Sequence, residues 1–180
     1  ITLFFHVLAH IAIYSFYSLY LDSLGYSKAV IGSLWALSVA VEVLGFLTQG
    51  RWLHLLPAAR WVWIAAWVLV LRMLLMAFGA ESLWVLALAQ MLHTVTFAIH
   101  HSVCISWISK HFPARLRGRG QALYSIIGYG ATGFLGALGG GLISERFGLG
   151  AVFGMAVPVA CLAVLGAWRL KSLRGEDQRT

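Results

Sequence analysis

Charge is scarce in this sequence. Only 11% of its 180 residues are Asp, Glu, Lys or Arg, and the acidic ones number 6 against 13 basic ones. Soluble domains carry about 25% charged residues, so this chain lacks the polar surface needed to face water on every side. Cysteine is rarer still: Cys104 and Cys161 stand apart, both in apolar runs. They make neither a disulfide framework nor a metal-ligand spacing and are expected as buried thiols. The sequence has no Gly-rich phosphate loop and no nucleophile–base pair at fixed spacing. An enzyme is therefore not expected, and neither is a cofactor.

Apolar residues are what the sequence has in excess, 61% of the chain, with a mean hydropathy of +0.85. An apolar run of about 20 residues crosses a bilayer as a helix. Six such runs lie at 1–21, 30–50, 61–79, 82–107, 120–143 and 148–168. The expected fold is all-α: a polytopic membrane protein with a six-helix bundle over 1–168 and a short tail over 169–180. The first run is too long and too rich in histidine for a cleaved signal peptide. It begins at Ile1 with no Met before it, so a piece of a longer chain is expected.

The basic residues fall in alternate connections. Arg51 and Arg60 flank the second, Lys110, Arg115, Arg117 and Arg119 crowd the fourth, and Arg169, Lys171, Arg174 and Arg179 follow the last span. The positive-inside bias then puts the second and fourth connections and both ends in the cytoplasm. This pattern accounts for nearly all of the net charge of +7, so no nucleic-acid partner is expected.

Inside the spans, ionisable residues are few. Glu42 sits in Val-Ala-Val-Glu-Val-Leu-Gly-Phe, residues 39–46, and Arg72 in the third span. An intramembrane charge costs about 2.5–3.5 kcal/mol on insertion scales and marks a functional site whose partner must be named. Rise per residue puts the two at similar depth on consecutive helices, so pairing between Glu42 and Arg72 is geometrically possible, either as a fixed register pin or as a proton switch. The fourth span adds His93, Phe97, His100 and Cys104, spaced to share one helical face, with His101 offset. Gln90, Thr94 and Thr96 lie among them. The first span carries His6, His10, Tyr14 and Tyr17 as a stripe. Its HxxxH spacing lacks a third ligand, so no metal is expected. Gly136 and Gly140 form a GxxxG pair, and Gly32, Ala36 and Ala40 a similar row, both expected at close helix contacts.

Several segments carry a resemblance. They are Trp35-Ala36-Leu37-Ser38-Val39-Ala40-Val41-Glu42, Leu71-Arg72, Gln90 to Ala98 with His100, Arg117 to Ser125, and Leu135 to Gly141. In that order they resemble the C-terminal six-helix half of a major facilitator superfamily transporter, in the branch of lactose permease-like and nucleoside–proton symporters. The resemblance implies an N-terminal six-helix half in the same protein, a bacterial inner-membrane location, and a small-molecule substrate moved with protons. It also implies that Glu42 binds substrate while Arg72 and His93 join the proton path. The branch places a second carboxylate one turn after the histidine; here Thr96 and Phe97 stand there, which leaves Glu42 itself as the proton site.

A small aromatic carboxylate is the expected substrate, held by Arg72 and flanked by Phe97, Tyr14 and Tyr17. His100 completes the candidate set. A nucleoside or sugar bound through Glu42 and His93 remains the alternative within transport. A non-transporting receptor or assembly subunit is the alternative outside it.

Overall fold

The computed structural model describes residues 1–177, with side chains through Leu170 and at Ser172. Six helices account for almost all of it: α1 Thr2–Ser23, α2 Lys28–Trp52, α3 Ala58–Gly79, α4 Leu83–His111, α5 Ala114–Phe147 and α6 Leu149–Asp177. Each contains a stretch long and apolar enough to cross a membrane. The chain is an all-α polytopic membrane protein, as its apolar runs predict. The tail expected at 169–180 begins as a continuation of α6, and residues 178–180 lie outside the described residues.

The connections are shorter than the apolar runs suggest. The Arg-rich segment expected as a loop is mostly helix, broken only at Phe112 and Pro113. Phe112 is extended (φ −96°, ψ 130°), because proline crowds the residue before it out of the α region. Beyond Pro113 the arginines sit on exposed helical turns. Between α5 and α6 a single glycine makes the turn: Gly148 has φ +85°, a conformation open to a residue without Cβ.

α6 is the packing spine, running against α1 and α3. Its Ala156, Ala160, Ala163 and Ala167 are buried at spacings of three and four, so small side chains let the neighbouring helices close in. α5 meets α1 through its GxxxG pair. A Cβ on Gly136 would lie 2.7 Å from Ile11, and one on Gly140 would run into the Phe16 ring. The Gly32, Ala36 and Ala40 row differs from expectation: all three are exposed, and nothing approaches Gly32. Cys161 is likewise exposed rather than buried, since an apolar residue of a spanning helix is as much at home facing lipid as facing protein.

Two helices contain a widened turn of π-helix, Thr94–Ile99 in α4 and Ile126–Ala131 in α5. Threonines bond back into the backbone at both. Thr96 Oγ1 lies 3.3 Å from the Leu92 carbonyl, and Thr132 Oγ1 donates to the Gly128 carbonyl. Such side-chain donors compete for the helical ladder and loosen it, and π turns gather at functional sites.

Candidate functional site

Arg72 is fully buried, the largest such side chain among the described residues. α3 points it at α4 and α1. Its Nη2 donates to Gln90 Oε1 at 2.8 Å. Its Nη1 faces three acceptors: His93 Nδ1 at 2.9 Å, Thr96 Oγ1 at 3.1 Å and His10 Nε2 at 3.2 Å. A guanidinium only donates. The lone pair of His93 is therefore on Nδ1 and its proton on Nε2, which lies 3.0 Å from Glu42 Oε2. The result is a directed chain: Arg72 donates to His93, and His93 donates to Glu42.

This arrangement takes the place of a direct Glu42–Arg72 ion pair. The two charges share a depth, but the His93 ring stands between them. It also moves Arg72 out of reach of a substrate in this structure, because both terminal nitrogens are engaged inside the bundle. Glu42 is the open end of the chain, with its side chain 24% exposed.

The ring groups fall into a second pattern. His93, Phe97 and His101 stack in a column along α4, with centroids 5.2 Å and 5.8 Å apart and planes within 7° and 17°. Tyr14 of α1 meets Phe97 edge-on at 6.4 Å, and Phe46 of α2 does the same from its own side at 6.4 Å. At the foot of the column His101 Nδ1 lies 3.0 Å from the Tyr124 hydroxyl, which is 3.2 Å from that of Tyr129. Tyr14 and Tyr129 are both within electrostatic range of Glu42. One carboxylate thus opens onto a wall of aromatic rings.

Two expected members sit elsewhere. Tyr17 is fully buried beside Gln90, with its ring edge-on to Trp35 at 5.4 Å, so it does not line the wall. His100 does not share the face of Phe97: it turns inward to α1, and His101 takes the column position. The π turn between them is the cause, because each widened turn holds more residues and shifts later side chains around the axis. Phe46, Tyr124 and Tyr129 were not expected at the site at all. Phe46 is one helical turn beyond Glu42, a spacing that puts both on one face. Tyr129 is the single large residue in Gly128-Tyr129-Gly130.

Chemically, the chain Arg72–His93–Glu42 accommodates one proton arrangement. If Glu42 takes up a proton on Oε1, Oε2 still accepts from His93 Nε2–H, but as a neutral carbonyl it makes a weaker bond than the carboxylate does. Protonation and pairing are therefore linked. The family comparison is specific: residues 1–155 match the model of the MFS_1 like family, and the chain belongs to it. It is also similar to the "Probable 3-phenylpropionic acid transporter" of Escherichia coli (strain K12), 29% identical over 149 residues. That match covers 83% of this chain but 39% of the relative, so the chain spans about two fifths of that protein's length. No solved structure matches the chain.

Proposed function

We propose that this chain is the C-terminal six-helix half of a proton-coupled symporter that carries a small aromatic carboxylate. Its other half would cover the side onto which Glu42, Tyr14, Phe46 and Phe97 open, in a bacterial inner membrane with both ends of this segment cytoplasmic. Substrate and proton would bind between the halves, which rock to expose the site alternately. The observation that carries this reading is the Arg72–His93–Glu42 chain ending on an aromatic wall. The rings supply stacking and edge contacts for an aryl group. The name of the similar E. coli protein supports the acid.

Coupling follows from Glu42. A substrate carboxylate beside an ionised Glu42 is repelled, whereas one beside a protonated Glu42 accepts a short charge-assisted O–H···O hydrogen bond. The proton is then a condition of substrate binding. Arg72 positions His93 rather than touching the substrate. A second reading rests on the same carboxylate: Glu42 is the one ionised group at the open face among the described residues, and it suits the hydroxyls of a nucleoside or sugar.

The test uses the full-length protein in proteoliposomes. Glu42→Gln should abolish accumulation of labelled 3-phenylpropionate driven by a pH gradient and spare exchange across the membrane. Uphill accumulation by this variant would remove Glu42 as the proton site. Transport of a nucleoside or sugar, with no movement of the acid, would establish the second reading instead.

A further inference from the structure

Behind the relay lies a group of histidines that the relay does not use. His6 lies flat on His100, with centroids 3.8 Å apart and planes within 5°. His6 Nε2 is 2.7 Å from the Thr96 carbonyl oxygen, which can only accept, so Nε2 carries the proton. His6 Nδ1 is thus a bare lone pair. It is buried and meets no hydrogen-bond partner among the described residues, although an unsatisfied buried acceptor costs about 1–3 kcal/mol. It borders a crevice shared with His10, Tyr14, Thr96 and Tyr129. His10, 5.3 Å away in ring centroids, already accepts from Arg72. His6 has the free acceptor.

We infer that His6 is a second proton-holding group of the carrier, an inference that rests on the proton-coupled reading. As Glu42 gives up its proton and becomes a carboxylate, His6 Nδ1 takes up a proton and becomes N–H. Nε2–H stays on the Thr96 carbonyl, and loss of the Nδ1 proton to water with reprotonation of Glu42 from water resets both groups. The resulting imidazolium lies over the neutral ring of His100, within the range of cation–π attraction. The groups facing His6 are His10 on its own helix, Arg72 from α3, Thr96 and His100 from α4 and Tyr129 from α5. Cys104 stands behind His100, with Sγ 3.9 Å from its Nε2. Glu42 of α2 stands beyond His93.

Two measurements on the full-length protein decide the matter. Site-resolved 15N NMR of the histidine rings, across the pH range in which the protein stays folded, should show His6 reaching the imidazolium form while keeping its Nε2–H bond. A His6 ring neutral throughout overturns the inference. In proteoliposomes, His6→Gln retains an N–H donor for the Thr96 carbonyl but cannot hold a proton. Exchange of labelled 3-phenylpropionate should stay within about twofold of wild type, while pH-driven accumulation falls about tenfold, the equivalent of one pH unit. Equal accumulation by His6→Gln and wild type sinks the inference alone. A wild type that does not respond to a pH gradient sinks proton coupling, and the NMR result still rules on His6.

Discussion

Replacing Arg72 by alanine removes one donor group from four acceptors at once. Thr96 Oγ1 retains contacts to the Leu92 and His93 carbonyls, so three acceptors are stranded: His93 Nδ1, His10 Nε2 and Gln90 Oε1. At about 1–3 kcal/mol for each unsatisfied buried group, the loss is about 3–9 kcal/mol. The histidines can shift their protons to recover part of it, which favours the lower half, about 3–6 kcal/mol. That is a large share of a stability of about 5–15 kcal/mol. Arg72→Lys is milder: an ammonium presents a point charge without the planar fork, so it loses one charged hydrogen bond, about 1.5–3 kcal/mol. Denaturant titration of the full-length protein in mixed micelles, followed by tryptophan fluorescence, reads both. The order wild type, Arg72→Lys, Arg72→Ala is expected. Arg72→Ala within about 1 kcal/mol of wild type, the size of an ordinary point mutation, would refute the closed network. The same variants address the substrate: with Arg72 sealed behind His93, Arg72→Lys should weaken an aromatic acid and its neutral amide in parallel. A selective loss of the acid would put Arg72 on the substrate.

Gly45 holds α2 against α4: a Cβ there would run into Thr94 Oγ1 and lie 3.1 Å from Ala98 Cβ. Gly45→Val should therefore cost about 1–3 kcal/mol and separate Glu42 from His93, whereas Gly32→Val, in open space, should be neutral in the same titration. The orientation is tested with Cys104 and Cys161 removed and single cysteines placed at Ser82 and at Arg117: an impermeant thiol reagent added outside intact cells should label the first and not the second, and the reverse result inverts the topology.

The spans were legible because lipid imposes a simple rule: a helix that crosses must be apolar over its length, and the apolar runs record it. Ends were less legible. Arg115, Arg117 and Arg119 read as loop because they are charged, yet charge does not forbid a helix; it forbids only its burial. Glu42, Arg72 and His93 were equally visible, since an ionisable residue in an apolar run has few bland explanations. What depth along parallel helices cannot supply is rotation. Glu42 and Arg72 share a level, and only the turn of α4 shows that His93 fills the gap between them.

Rotation is also where the α4 reading failed, and the failure locates the site. An unbroken α-helix aligns His93 and Phe97 with His100 and Cys104, and that was the face expected. The π turn at Thr94–Ile99 shifts the register, so the column continues through His101, and His100 is released toward α1. The sequence signal for that turn is weak: Thr94 and Thr96, two side chains able to bond the preceding carbonyls. Its consequence is large. One inserted turn divides a single helical face into two groups of rings, a column opening beside Glu42 and a buried stack against His6, with Arg72 touching both through His93 and His10. An ordinary helix at this position would merge them.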